Sequence, residues 1–308
     1  MTSLAHLRAI FEDRIAQGTV RGRDGMSVAA IRTDLDGVTR HVATHARTGT
    51  YRFTTYRQRL LLKGAGKPPR EISIPTVRDR IMLRALAELL AESFPGCAGK
   101  LPQTGVAEVM SDLAAASHDT FVRIDVRNFY PSINHDILLK ALAKKVRKRE
   151  ILGIVRRAIS TPTAPDRAPR PRALLATGVP QGLSISNLLA EIYVRPVDSA
   201  MIAIPNIAYH RFVDDILILC SATDAPTVDA ACRGALEAIK LSAHPSSAGG
   251  KSEIGSIADG FNYLGYTFST TSISVRRSSI VRLESHLASI HASWRRARIQ
   301  AVVATRCS

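Results

Sequence analysis

Cysteine is scarce in this chain, and the four present, Cys97, Cys220, Cys232 and Cys307, are scattered without metal-ligand spacing. That pattern implies a reduced, cytoplasmic protein with no zinc site. Long apolar runs are missing too: none reaches the roughly 20 residues of a membrane span. The opening Met1-Thr2-Ser3-Leu4-Ala5-His6 has no charged region followed by an apolar core, so no signal peptide is expected. There is no internal repeat and no clear linker between domains. Acids are also short: 26 Asp and Glu stand against 42 Lys and Arg, a formal charge of +16. A chain this basic ordinarily faces a polyanion, nucleic acid first, although solubility or a membrane surface would also use such charge.

What is present supports a real core. Hydrophobic residues make up 45% of 308, a length suited to one large domain or two closely packed ones. The stretch Tyr209-His210-Arg211-Phe212-Val213-Asp214-Asp215-Ile216-Leu217-Ile218-Leu219 sets two carboxylates between two β-forming runs. It reads as two short strands and a tight turn with the acids at the tip. Aspartate is a common turn residue, so a plain polar hairpin is the competing reading. A third acid in a similar setting, Phe121-Val122-Arg123-Ile124-Asp125-Val126, tips the balance. Three carboxylates on neighbouring strand ends can bind two divalent cations, the arrangement that in-line phosphoryl transfer needs.

The rest of the chain supplies polar turns and amphipathic segments. Leu4, Leu7, Ile10, Phe11 and Ile15 fall at helical spacing, and Ser27 is placed to cap a second short helix. Lys63 to Arg70 is a basic, Gly/Pro-punctuated turn leading into the strand Glu71 to Pro75. With Lys63, Lys67 and Arg70 it can clamp a triphosphate, or simply form a solvated turn. A helix follows over Ile81 to Leu90, another over about Val106 to Ala116, and another from about Asp136. That last helix is read as carrying Lys140, Lys144, Lys145, Arg147, Lys148 and Arg149, either solvated or in contact with phosphate. His135 reads as a satisfied polar residue rather than a ligand. Thr161 to Arg172 reads as an exposed loop. Thr177 to Asn187 is a Gly/Pro turn entering a helix through Leu188 to Tyr193. It can bring backbone close to a nucleotide, with Gln181 on a sugar or base edge, or be an ordinary helix start. Thr227 to Leu241 is an amphipathic helix, Ala248 to Ser252 a turn presenting Lys251, and Gly260 to Phe268 an aromatic hairpin. Arg276 to Arg298 reads as one or two basic helices.

Taken in order, these motifs resemble the reverse transcriptases, specifically the prokaryotic group of group II intron, retron and defence-associated enzymes. Lys67 to Arg80 looks like the fingers motif, Asp125 to Ile133 like the first palm motif, and Val179 to Ser186 like the Pro-Gln-Gly motif. Tyr209 to Asp215 looks like the Asp-Asp signature, and Lys251-Ser252 with Leu264-Gly265 like the last palm motifs. The likeness runs from about Gly22 to Phe268. It implies an α+β fold: a right-hand polymerase palm with an antiparallel sheet backed by helices, fingers, and a reduced helical thumb. The implied division is 1–120 for the N-terminal region and fingers, 121–268 for the palm with part of the fingers at 137–185, and 269–308 for the thumb.

The resemblance also implies roles. Asp125, Val126, Asp214 and Asp215 would form the metal set for two Mg²⁺, with Mn²⁺ as a substitute. Lys63 and Arg70 would hold the phosphates. Tyr130 would lie under the sugar and exclude a 2′-hydroxyl, while Gln181 and Gly182 would meet the nucleotide. Lys251 would protonate pyrophosphate, and Leu264 and Gly265 would form the primer grip. The implied partners are an RNA template (a dedicated non-coding RNA), a DNA or RNA primer and dNTPs, with a partner protein or a second copy completing the thumb. Departures from the family pattern are Phe212 where Tyr is usual, Leu83 where many relatives have Gln, and the missing retron signatures. Gly182 to Tyr193 looks most like the antiphage, abortive-infection enzymes. Template-independent or protein-primed synthesis, and a silent RNA-binding scaffold, stay as alternatives.

Overall fold

The computed structural model describes residues 3–62, 68–97, 99–115, 117–169, 173–270 and 272–306, with side chains through 295. Lys63 and Lys67 lie outside the described residues. In chain order the elements are α1 (Leu4–Arg14), α2 (Val28–Thr33), α3 (Leu35–Arg47), β1 (Tyr56–Leu61), β2 (Arg70–Ile74), α4 (Val77–Ser93), α5 (Pro102–Ala114) and β3 (Thr120–Asp125). Then come α6 (Phe129–Ser132), α7 (His135–Ala143), α8 (Arg149–Ser160), β4 (Thr163–Ala164), α9 (Ser186–Ile202), β5 (Ala208–Phe212), β6 (Asp215–Cys220) and α10 (Ala225–Ala238). The last are β7 (Glu253–Ser256), β8 (Phe261–Tyr263), β9 (Tyr266–Phe268), β10 (Ile273–Val275) and α11 (Arg277–Arg306).

Two compact units divide the chain. Unit one takes Met1–Leu101, Asp125–Pro205 and Thr227–Pro245. Its helices α1, α3 and α4 pack together, and α7 packs on α8 and α9. Its sheet runs β2-β1-β4: β1 is antiparallel to β2 and parallel to β4. Serine and threonine caps fix where helices begin, by accepting an otherwise orphaned N–H. Ser27 Oγ accepts from Ala30 N, and Thr76 Oγ1 accepts from Asp79 N at 3.1 Å. The Thr76 cap starts α4 at Val77, a turn earlier than its apolar run suggests.

A buried node ties α4 to the chain entering β1. Asp79 is fully buried; its Oδ1 accepts from Tyr51 Oη at 2.8 Å and its Oδ2 from Thr54 N at 3.0 Å. Burial raises the carboxyl pKa, outweighing the lowering pull of Tyr51, Arg78, Thr76 and Thr54.

Unit two takes Pro102–Ile124, Asn206–Pro226 and Ser246–Ser308. Its main sheet has the order β5-β6-β3-β7, with β5 antiparallel to β6 and β3 antiparallel to β7. Ile216 to Cys220 are all fully buried, which explains the unbroken apolar run of β6. Val109, Phe121, Leu217, Leu219, Phe261 and Phe268 form one core, with Phe261 and Phe268 stacked at 5.2 Å. Strands β8, β9 and β10 make a second antiparallel sheet. Asp112 of α5 places Oδ2 2.8 Å from Nε2 of the buried His210 on β5, packing that helix on the strand.

Several expectations change. The cationic run is not on one helix: α7 stops at Ala143, Lys144 to Lys148 connect, and Arg149 opens α8. Val146, 5% exposed, anchors that connection in the core while its charged neighbours stay in water. Thr161 to Arg172 is not wholly loop, because Thr163 and Ala164 pair with Tyr56 and Arg57 and Ala164 is buried; residues 170–172 lie outside the described set. The basic tail is one helix, α11. Helices α3 and α8 and strand β1 arise where no local pattern announces them. Among the described residues no helix is long and apolar enough to cross a membrane.

Candidate active site

Strand β3 delivers Asp125 as its last residue, half-buried, and the chain turns at once into Asn128, held at φ 42°. The segment 242–244 runs beside it. Arg127 N donates to Ser242 O at 2.8 Å, His244 N donates to Asp125 O at 2.9 Å, and Val126 bridges Ala243 in antiparallel sense. The His244 ring then places Nε2 3.3 Å from Asp125 Oδ1. Arg233, paired with Asp229 at 2.8 Å, donates to the His244 carbonyl at 2.9 Å. No sequence signal marked His244, because this contact joins segments far apart in the chain.

The other two acids sit on the β5–β6 hairpin of unit two. Phe212 pairs with Asp215, leaving Val213 and Asp214 as a two-residue turn. Val213 adopts φ 58°. A β-branched residue in that region costs about 1–3 kcal/mol, and strain of this kind concentrates at functional turns. Arg211 Nη1 donates to the Val213 carbonyl at 3.1 Å and helps hold the turn. Tyr263 Oη reaches the Asp215 carbonyl at 3.5 Å, and burial, then the Asp215 charge, raises its phenol pKa.

Unit one brings most of the expected nucleotide-contacting residues onto one connected framework. Ser73 N, on the strand that begins at Arg70, donates to Gln181 O at 2.7 Å. Gly182 has φ 102°, and a Cβ there would lie 2.8 Å from Ile72 Cγ2 and 3.0 Å from Ser73 O. Only glycine lets this turn lie so close to β2. Val179 N donates to Tyr130 O at 2.9 Å, and Tyr130 Oη donates to Asn187 Oδ1 at 2.8 Å. His135 is satisfied within the same framework, its Nε2 2.7 Å from Gly178 O. Lys63 lies outside the described residues.

In unit two, Lys251 is exposed on the turn before β7. Arg123 organises that turn: Nη2 donates to Gly250 O at 2.6 Å and to Glu253 Oε2 at 2.9 Å, and Nη1 donates to Asn262 O at 2.9 Å. Leu264 and Gly265 form the β8–β9 turn with φ 48° and 86°, and Gly265 O accepts from Arg276 N at 3.0 Å.

The carboxylate oxygens of Asp125, Asp214 and Asp215 are the hard donors that Mg²⁺ or Mn²⁺ takes, so the donor chemistry fits. Among the described residues no group of three or more His, Cys, Asp or Glu side chains is arranged to hold a metal ion. Burial pushes the Cys220 thiol up to about 11 and the Cys232 thiol up to about 12, which disfavours the reactive thiolate at these two positions.

Comparison with known proteins follows these motifs. The family model described as reverse transcriptase (RNA-dependent DNA polymerase) matches residues 62–268, two thirds of the chain. The "uncharacterized 91 kDa protein in cob intron" of the fission yeast Schizosaccharomyces pombe is 23% identical over 198 residues, covering 60% of this chain. The chain spans about a quarter of that relative, 24%. Telomerase from Candida albicans, solved with a fragment of telomeric RNA, superposes with a TM-score of 0.54 at 13% identity, covering 82% of this chain and 50% of that one. Apo telomerase from Candida tropicalis, truncated from its C-terminal domain, gives 0.53 at 12% identity over 79% of this chain and 60% of that one. The fold is thus the α+β palm-and-fingers polymerase fold, and the chain belongs to the reverse transcriptase (RNA-dependent DNA polymerase) family.

Proposed function

We propose that this protein is an RNA-directed DNA polymerase that extends a primer with dNTPs on an RNA template. The observation that carries the reading is the intact Asp-Asp turn, built on a strained two-residue hairpin in a chain of this family. Asp125, the Val126 carbonyl, Asp214 and Asp215 would hold two Mg²⁺, which supply Lewis acidity and charge neutralisation at the phosphates. The primer 3′-hydroxyl loses its proton and its oxygen bonds to the α-phosphorus, while the bond to the pyrophosphate oxygen breaks. Lys251 delivers the proton that pyrophosphate takes up. Arg70 and Lys63 hold the triphosphate; Gln181 and Gly182 offer backbone and amide to the nucleotide; Tyr130, fixed by Asn187, bars a 2′-hydroxyl. Leu264 and Gly265 steady the primer end. In the palm-and-fingers vocabulary, 1–120 serves as N-terminal region and fingers, 121–268 as palm and 269–308 as thumb.

The template is a dedicated non-coding RNA and the setting is antiphage defence, with a partner protein or second copy beside the basic tail. The resemblance of Gly182 to Tyr193 supports that subgroup. The test is to purify the protein from its host with bound nucleic acid, add labelled dNTPs and Mg²⁺, and sequence the products. DNA complementary to one co-purified RNA is the expected result. Repetitive DNA matching no RNA, or RNA bound with no synthesis, would overturn it.

A further inference from the structure

His244 stands one residue before a proline, and that place restricts its backbone to the extended region. An extended segment can lie along a strand end, and 242–244 does so: Arg127 N donates to Ser242 O, and His244 N donates to Asp125 O at 2.9 Å. On its other side the His244 carbonyl accepts from Arg233 Nη1 at 2.9 Å. Arg233 is itself held at 2.8 Å by Asp229, one turn earlier on α10. Both backbone polar groups of His244 are therefore engaged, and its ring projects from a fixed point. The ring is 28% exposed, with Nε2 3.3 Å from Oδ1 of Asp125, whose side chain is 24% exposed.

An ionised carboxylate oxygen only accepts, so the proton in this contact sits on Nε2. With Oδ1 facing a ring N–H, the carboxyl group is kept from turning about its last bond, and Oδ2 is left for a cation. A neutral imidazole does this without placing a second full charge beside that cation. A guanidinium at the same point would compete with it, and Arg233 stands one step back, on the His244 carbonyl.

We propose that His244 is a positioning residue for the Asp125 carboxylate: its Nε2–H orients the group so that Oδ2 takes the divalent cation. The inference rests on the two-Mg²⁺ reading of Asp125 and adds the partner that fixes this ligand. Groups that hydrogen-bond a metal-binding carboxylate hold its orientation, and their loss weakens metal affinity about 10- to 100-fold. At 3.3 Å the ring is in ion-pair range. A charge-assisted hydrogen bond is shorter by about half an ångström, a step within reach of two short side chains.

The experiment titrates Mn²⁺, followed by electron paramagnetic resonance, into the full chain without nucleic acid or dNTPs, so metal binding is measured apart from synthesis. His244→Phe, which keeps a ring and loses the donor, should weaken Mn²⁺ binding about 10- to 100-fold. His244→Gln, whose amide presents an N–H at similar reach, should stay within about threefold of the parent. In primer extension the phenylalanine variant should need about 10- to 100-fold more Mg²⁺ for half-maximal rate and approach the parent at saturation. A merely structural loss lowers the rate at every Mg²⁺ concentration. Parental Mn²⁺ affinity in folded His244→Phe, or a glutamine variant no better than the phenylalanine one, would overturn the proposal. So would nitrogen coupling from the His244 ring in the spectrum of bound Mn²⁺, which would make the ring a ligand. Asp125→Asn separates the two levels of failure. No Mn²⁺ bound by the parent, or equal binding by Asp125→Asn, would refute Asp125 as a metal ligand and the proposed site with it. Failure of the His244 variants alone leaves Asp125 in place.

Discussion

Asp79→Ala and Asp79→Asn should separate sharply in stability, because they leave the buried node beneath β1 in different states. Alanine orphans two buried donors, Tyr51 Oη and Thr54 N. Each unsatisfied donor costs about 1–3 kcal/mol, so the loss is about 2–6 kcal/mol, a large share of the roughly 5–15 kcal/mol that stabilises a domain. Asparagine can accept from Thr54 N and donate to Tyr51 Oη, so it keeps both contacts and removes a buried charge. Its cost should stay near 1–2 kcal/mol from the weaker neutral bonds. Burial raises the Asp79 carboxyl pKa in the folded state, so the folded chain binds this proton more tightly than the unfolded one. The parent protein should therefore gain stability over Asp79→Asn as pH falls through that raised pKa towards the ordinary value of about 4. Urea denaturation of both variants and the parent, repeated at neutral and mildly acidic pH, measures all three quantities. Asp79→Ala within about 1 kcal/mol of the parent, or Asp79→Asn less stable than Asp79→Ala, would refute the accounting.

Two further substitutions probe the turns around the site. Gly182→Ala should destabilise by about 2 kcal/mol or more, from positive φ plus the clash with Ile72 and Ser73, and should lower polymerase activity; melting temperature and primer extension check both. Arg123→Ala removes three donations and leaves Glu253 without its ion-pair partner, held only by Gly249 N among the described residues, so it should cost about 2–4 kcal/mol and slow synthesis through the Lys251 turn, as read by urea unfolding and single-turnover extension.

The elements legible in the sequence are those whose signal is local. The β5–β6 hairpin reads directly because Tyr209 to Phe212 and Ile216 to Leu219 are β-formers flanking a two-residue turn. The Ser27 cap and the glycine at 182 read for similar reasons: a short side chain beside an amide, and a backbone that only glycine adopts. Strand β1 was silent because Arg57, Gln58 and Arg59 look like solvated polar residues until β2 and β4 flank them. Helix α8 was hidden behind the cationic run, which drew residues 144 to 149 into one reading although Val146 breaks it. The contact of His244 with Asp125 depends on long-range pairing that no local pattern encodes.

The most direct test of the central claim is Asp214→Asn in primer extension with poly(rA), oligo(dT), dTTP and Mg²⁺. Removing a carboxylate proposed to hold Mg²⁺ should take away several kcal/mol of transition-state stabilisation. The account therefore predicts synthesis by the parent and a loss on the order of 10³-fold in the variant, with melting temperature and RNA affinity unchanged. Synthesis by Asp214→Asn at the parent's rate would contradict it.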